Sequence, residues 1–238
     1  MSVTGVAPVR PAAPRLARVV QTAFVDFFAN SWRLLLVNVA WGIGVLGLLA
    51  ATSQTPLAIV LTPLLSLPTV GVFRVAALVA RNEPVTAIDG FRAWWSLGGR
   101  ALLLGAGLLA AGLVFATNLM TGLQGGGVVG WSLATFAAWG LVATGLVAVV
   151  AWPLVADPWR EELPLRTLVR LSVLMALAFP LRLGALLVLV AVLLAVSTLA
   201  LVAVLTISLA YAALVCCRYV LPATDRFAPP DRPDGVEA

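Results

Sequence analysis

The chain has 238 residues, of which 62% are hydrophobic and only 11% are charged, and its formal net charge is +5. A soluble domain is nearer half apolar and a quarter charged, so this composition excludes an ordinary soluble protein and favours a polytopic membrane protein. The positive charge does not indicate nucleic-acid binding, because the arginines separate apolar runs and form no basic face.

Ionisable residues leave three uncharged runs in the chain: 34–73, 101–156 and 183–217. A helix crosses the hydrocarbon with about 20 residues, so each of the first two runs is long enough for two crossings. We expect their turns near 52–56 and 121–127. The third run fits either one long tilted helix or a hairpin that turns near Ser197 and Thr198. The hairpin gives six crossings in total, and the single helix gives five.

The arginines orient these crossings. Blocks 1–33, 74–100 and 157–182 contain four arginines each, whereas the two expected turns contain none. Cytoplasmic loops carry the excess of basic residues, which places the N-terminus and both charged loops in the cytoplasm. A hairpin in the third run places the arginines of the tail there too, so we favour six crossings. The lack of lysine and the abundance of alanine and leucine indicate a GC-rich bacterium, and hence its cytoplasmic membrane.

Each charged block contains a short amphipathic helix, because apolar residues recur at helical spacing in 15–31, 85–97 and 163–179. Such helices lie in the membrane interface. We therefore predict an all-α transmembrane bundle made of three units, each an interfacial helix followed by a membrane hairpin. The bundle is expected to be a single domain at 15–220. A disordered cytoplasmic N-terminus at 1–14 precedes it, and a disordered tail at 221–238 follows it.

Prolines and tryptophans add detail to this plan. Pro56, Pro63 and Pro68 each lack a backbone donor, so the second crossing is expected to be kinked or to start late. Trp41 and Trp139 lie deep in apolar segments, and we expect them to pack between helices.

Two polar residues fall inside membrane segments. Arg74 lies seven residues before Arg81, which is about 10 Å along a helix. A charge at that depth snorkels to the headgroups, pairs, or faces a wet cavity. We expect snorkelling, and the alternative is a polar contact or an anionic ligand site. Asn38 is expected to hydrogen-bond across helices.

Groups that carry chemistry are scarce. The chain has no histidine, and its three uncharged runs contain no carboxylate that could act as a base. The glycine-rich stretch at 125–130 matches G-x-G-x-x-G but follows no strand, so it does not predict a dinucleotide site. The acidic residues of 157–162 are expected to be solvated. Adjacent Cys216 and Cys217 are expected to be small core or lipid-facing residues without metal-ligand spacing. We expect no enzymatic activity, cofactor or metal.

The helix at 85–97 has the most distinctive surface. Phe91, Trp94 and Trp95 are expected on one side of it and Arg92 on the other. Because tryptophan and arginine dominate the hot spots of protein interfaces, these four residues form a candidate partner-binding surface. The alternative is a plain helix on the membrane surface.

Short motifs resemble those of the YesL-like family of small bacterial membrane proteins. They are Asn38-Val-Ala-Trp41, Leu67-Pro68, the stretch at 76–83, and Phe91-Arg-Ala-Trp-Trp95. The resemblance covers the layout of residues 20–220, with its motifs concentrated in 38–95, and the stretch at 71–74 departs from it. Members of that family are often associated with carbohydrate uptake, so the resemblance implies an accessory role in transport.

Two functions remain open from the sequence. The first is a non-enzymatic accessory or scaffold protein that binds transporter subunits, or a second copy of itself, within the lipid bilayer. The second is a small permease or substrate-binding membrane subunit, which needs a polar path at mid-bilayer. Five polar residues could line only the outer half of such a path: Thr117, Asn118, Gln124, Ser132 and Thr135.

Overall fold

The computed structural model describes residues 16–199 and 207–228. These residues form nine α-helices and no strand, which confirms the predicted all-α class. The helices are α1 (Leu16–Ala29), α2 (Ser31–Gln54), α3 (Ser66–Ala80), α4 (Ala87–Ser96), α5 (Gly98–Gly125), α6 (Gly127–Ala156), α7 (Leu165–Ala178), α8 (Pro180–Leu199) and α9 (Ser208–Asp225). Two 3₁₀ segments, Pro56–Leu65 and Pro158–Arg160, precede α3 and follow α6.

Five segments of the described chain are long and apolar enough to cross a membrane. They are Ser31–Gln54, Pro56–Ala80, Gly98–Gly125, Gly127–Ala156 and Pro180–Ser197. The predicted multi-pass helical bundle is therefore confirmed. The sixth crossing, predicted in the second half of 183–217, falls partly on 200–206, outside the described residues, and stays a prediction.

The three predicted short helices are present as α1, α4 and α7. Each leads into a long helix after one residue, namely Asn30, Leu97 and Phe179. The turns between long segments are equally short and lie where they were expected, at Thr55 and Gly126. Gly126 has φ +59°, a left-handed backbone that glycine adopts without a steric penalty. The charged segments therefore all lie at one end of the bundle, which we call the charged end.

The predicted late start of the second crossing is confirmed. Pro56–Leu65 is a 3₁₀ segment, and the α-helix begins only after it. Pro63 lies inside this segment and has no N–H for an α-helical bond, whereas Pro68 lies in the first turn of α3, where no such bond is needed. Trp41 of α2 donates its indole N–H to Oγ1 of Thr69 at 3.1 Å, so it packs between helices as predicted.

α5 and α6 form a hairpin whose backbones touch. A Cβ atom on Gly122 would lie 2.6 Å from the carbonyl oxygen of Gly130, so neither position has room for a side chain. Trp139 of α6 is 69% exposed, and the prediction that it packs between helices is wrong. The reason is that α6 meets α5 through Gly140, which lies against the ring of Phe115, while Trp139 lies on the outer side.

α9 is the central helix of the charged end. It packs against α1, α2, α3, α6 and α8, and most of its side chains are buried. Cys216 and Cys217 are among them, and both are free thiols in the core, in line with the first of the two sites expected for them.

The predicted domain boundary at residue 220 is wrong. α9 continues to Asp225, and the ring of Phe227 meets that of Phe179 edge-on with 5.3 Å between centroids. The segments 1–14 and 229–238, which include most of the two predicted disordered tails, lie outside the described residues.

Candidate functional site

Four ionisable residues meet where α3, α6 and α9 end, and we call them the arginine clasp. Arg81 follows α3, Asp157 and Arg160 follow α6, and Asp225 ends α9. Arg81 donates to both carboxylate oxygens of Asp157, at 3.1 and 2.6 Å, and also donates to both oxygens of Asp225. Arg160 donates to Asp225 at 2.7 Å, and its Nε lies 3.2 Å from Asp157. The clasp joins three chain segments with two charges of each sign.

Burial of the charges in the clasp costs free energy unless each charge is paired. Asp157 is 0% exposed, and a buried carboxylate is tolerated only when its oxygens are paired. Burial alone would lower the pKa of Arg81, but its hydrogen bonds to Asp225 and Asp157 and their charges raise that pKa above its ordinary value. The Arg81 guanidinium also lies 3.9 Å from the centroid of the Trp159 ring, a cation–π contact. The charged form of Arg81 is therefore stabilised both by the two carboxylates and by the Trp159 ring.

The prediction that the acidic residues of 157–162 are solvated is wrong for Asp157, which is fully buried. Asp157 belongs to the clasp, and it also accepts a hydrogen bond from the backbone N–H of Trp159 at 3.2 Å. Glu161 and Glu162 are both exposed as expected, although Glu161 also forms an ion pair with Arg74. The 3₁₀ segment after α6 folds back beside α3, and this turn brings the acidic residues to the arginines.

Arg218 of α9 makes a second link between helices. It donates to the backbone oxygens of Val79 and Ala80 at 3.2 Å and to the carboxylate of Asp26 in α1 at 2.7 Å. α3 ends there in a Schellman turn, with Asn82 at φ 57°. A cation beside the last carbonyls of a helix is favourable because the helix dipole is negative there. Arg218 thus ties α1, α3 and α9 together.

Arg74 has polar partners within the fold, whereas we expected it to snorkel to the headgroups. It donates to the backbone oxygen of Ala156 at 3.2 Å and pairs with Glu161. The end of α6 lies beside α3 and supplies both partners, which is the polar-contact alternative.

Asn38 is buried, and its side-chain oxygen accepts a hydrogen bond from the backbone N–H of Ala210 at 2.9 Å. This contact between α2 and α9 confirms the predicted bond across helices. Asn38 and Arg74 have different partners and do not form one site.

The four residues predicted as a partner surface on α4 separate into two groups. Trp94 is half-buried and lies over Gly71 of α3, with its indole nitrogen buried and its ring 5.1 Å from that of Phe91. Trp95 is 89% exposed, and Phe91 and Arg92 are exposed beside it. Trp94 therefore packs against α3, and the exposed group is Phe91, Arg92 and Trp95.

Small residues explain why α4 turns that way. A Cβ atom on Gly71 would lie 2.7 Å from the carbonyl oxygen of Gly90, and one on Gly90 would lie 2.8 Å from Val37. α4 thus meets α3 through backbone, and this contact leaves the larger residues of α4 outside. At its start, Asp89 and Thr86 form a capping box that fixes the first turn.

Of the five polar residues predicted for the outer half of a transport path, two lie on the outer surface of the α5–α6 hairpin. Ser132 and Thr135 of α6 donate to backbone oxygens of their own helix, at 2.9 and 2.8 Å, and are exposed on the hairpin surface. An open surface groove of about 610 Å³ along α6 includes Ser132 and Thr135 in its lining. A second groove, of about 420 Å³ between α2 and Pro56–Leu65, is lined almost wholly by apolar side chains.

In the described part of the chain, no group of three or more His, Cys, Asp or Glu residues is placed to hold a metal ion. The arginine clasp was missed in the sequence because its members lie 76 and 144 residues apart. A signal was present, since Asp157 directly follows a long apolar helix, where an unpaired carboxylate is costly. Comparison with protein-family models, with curated proteins and with solved structures finds no match to this chain.

Proposed function

We propose that this protein is a non-enzymatic accessory or scaffold component of a membrane transport system, docked to its partner through α4. Carbohydrate uptake is the system that the YesL-like resemblance suggests. The proposal places the protein in the bacterial cytoplasmic membrane with its N-terminus in the cytoplasm, because the arginine-rich segments lie at one end and the opposite turns carry no charge.

The observation that carries the proposal is the outer face of α4. Trp95 is 89% exposed, the highest value among the large apolar side chains that the structure describes, and Arg92 and Phe91 adjoin it. A hot spot combines aromatic and arginine side chains on a preorganised surface, because a rigid surface loses little entropy on binding. The close contact between Gly71 and Gly90 and the packing of Trp94 over Gly71 supply that rigidity.

The polar groups at the charged end support a scaffold over a catalyst. Among the described carboxylates, those of Asp157, Asp225, Asp26 and Glu161 pair with arginines that join different helices. Asp89 caps α4, and Glu83 lies 3.4 Å from the indole nitrogen of Trp159. These groups hold the helices in place, so their chemistry is already used in the fold.

Affinity purification in mild detergent from the native host tests this function. Transporter subunits are expected to co-purify with the wild-type protein and to be lost from Arg92→Ala/Trp95→Ala. The matched control is Trp131→Ala, which removes an exposed tryptophan from the uncharged end and should keep the partner. If Arg92→Ala/Trp95→Ala keeps the partner and Arg166→Ala/Arg170→Ala loses it, the docking surface lies on α7 and not on α4.

A second candidate function is a small permease or substrate-binding subunit, and one observation favours it. α9 begins inside the bundle, beside Asn38, and helices that start within the membrane mark the binding sites of some transporters. Uptake by the purified protein in liposomes that contain no other subunit would support this function over the scaffold.

A further inference from the structure

α1 and α7 expose arginines that the chain does not neutralise. Arg166 and Arg170 of α7 and Arg18 of α1 are exposed, and none of them has an ion-pair or hydrogen-bond partner among the described residues. The arginines of the clasp, by contrast, are partnered inside the bundle. The exposed arginines therefore face whatever surrounds the protein.

The exposed side of α7 changes character along the helix. Arg166, Arg170, Leu174 and Leu177 follow one another at spacings of four, four and three residues, so they lie on one face. Leu174 is 52% exposed and Leu177 is 73% exposed. The face is thus basic in its first half and apolar in its second half, next to the membrane-spanning α8.

α1 repeats this pattern before the membrane-spanning α2. Arg18 is exposed in its first turns, and three large apolar side chains are exposed in its second half: Phe24, Val25 and Phe28. α4 differs, because its Arg92 lies between Phe91 and Trp95.

This order of residues fixes the level of the arginines. α7 is a helix of the membrane interface, so its exposed leucines reach hydrocarbon while its long arginine side chains on the same face extend to the headgroups. The guanidinium groups of Arg166 and Arg170 therefore fall in the layer of lipid phosphates. No acidic residue occupies the first turn of α7, so the positive end of the helix dipole adds to their charge.

We propose that α1 and α7 form a binding surface for anionic phospholipids, in which Arg18, Arg166 and Arg170 contact the phosphates and the exposed apolar residues contact the acyl chains. The chemistry of the partner follows from charge complementarity at the phosphate level. This inference stands whether or not the protein serves a transporter.

The test uses the full-length protein reconstituted in phosphatidylcholine bilayers with spin-labelled phosphatidylglycerol or phosphatidylcholine. Electron paramagnetic resonance gives the fraction of each lipid that is immobilised by the protein. The wild type is expected to prefer phosphatidylglycerol, and the preference should fall as salt is raised. Arg166→Gln/Arg170→Gln should lower the preference at least about threefold, since one arginine near an anionic surface contributes up to about fivefold.

The matched control is Arg10→Gln/Arg232→Gln, which removes the same charge outside α1 and α7. It should keep the wild-type preference. An equal loss in this control would mean that net charge alone attracts the lipid, and it would overturn the proposal. Equal immobilisation of both lipids by the wild type would overturn it as well. Helical circular dichroism and a single size-exclusion peak should be unchanged in both variants, because the substituted arginines of α7 have no partner among the described residues.

Discussion

The side-chain oxygen of Asn38 in α2 accepts a hydrogen bond from the backbone N–H of Ala210 in the first turn of α9, 172 residues later in the chain. The residue that precedes α9 is Ile207, whose side chain cannot cap a helix. Asn38 therefore supplies from another helix the cap that α9 lacks, and it does so in an apolar interior where a free N–H has no water.

Asn38→Ala should destabilise the bundle by about 1–3 kcal/mol, because it leaves the amide of Ala210 buried without its acceptor. Unfolding in mixed detergent micelles, followed by circular dichroism, measures this loss. The control is Asn118→Ala on α5, where no hydrogen bond of the side chain is found in the described structure, and its effect should stay within about 0.5 kcal/mol. Equal effects of the two variants would contradict the capping role.

Asp157→Ala should be among the most damaging single changes at the charged end. It removes one carboxylate from between two buried arginines, and breaking a buried pair costs about 3–5 kcal/mol. Glu162→Ala is the control, because Glu162 is exposed five residues away. We expect the midpoint of thermal unfolding to fall for Asp157→Ala but not for Glu162→Ala. Equal midpoints for the two variants would show that the clasp adds no stability.

Gly71→Ala should weaken the packing of α4 on α3, since the new Cβ atom would meet Trp94 and lie 2.7 Å from the carbonyl oxygen of Gly90. Adding Trp94→Leu should restore only part of the stability, because the clash with the backbone of Gly90 remains. Gly107→Ala on α5 has nothing within 4 Å and should be neutral or slightly stabilising. Protease protection of the loop before α4 measures the loss of packing. Full recovery of protection in the Trp94→Leu double variant would show that the new methyl group clashes only with the indole ring.

The pair of Arg74 and Glu161 should show weak coupling. Their side chains are 17% and 44% exposed, so water screens the attraction between them. A double-mutant cycle with alanine at each position should give a coupling free energy of about 0.5–1 kcal/mol. Arg74→Lys should keep most of the stability, because the backbone oxygen of Ala156 remains within reach of an ammonium group. A loss from Arg74→Lys as large as that from Arg74→Ala would indicate that the planar guanidinium is required.

Single cysteines test the orientation, in a background in which Cys216 and Cys217 are replaced by alanine. Cysteines at Gln54 and Gln124, which are exposed at the uncharged end, should react with an impermeant maleimide in intact cells. Cysteines at Ser96 and Glu162, which are exposed at the charged end, should react only after lysis. The reverse pattern would invert the proposed topology.

Local composition determined the elements of this protein. The spacing of charges located the long apolar segments, and helical periodicity located α1, α4 and α7, because both signals depend on neighbours in the chain. Pro56, Pro63 and Pro68 predicted the late start of α3 for the same reason, since a missing N–H removes a hydrogen bond within one helical turn. Asn38 was predicted to bond across helices because a buried amide in a membrane helix needs a partner.

Only the tertiary structure decided which residues meet. Phe91, Trp94 and Trp95 occupy similar positions in the sequence pattern, yet Trp94 is packed inward and Trp95 outward, because Gly71 leaves space for one indole ring. Arg81 and Asp225 pair across the bundle because α9 ends beside the end of α3, and no local pattern encodes that contact. The arginines therefore look alike in the sequence, whereas the fold separates those that pair inside the bundle from those on α1 and α7 that have no partner among the described residues.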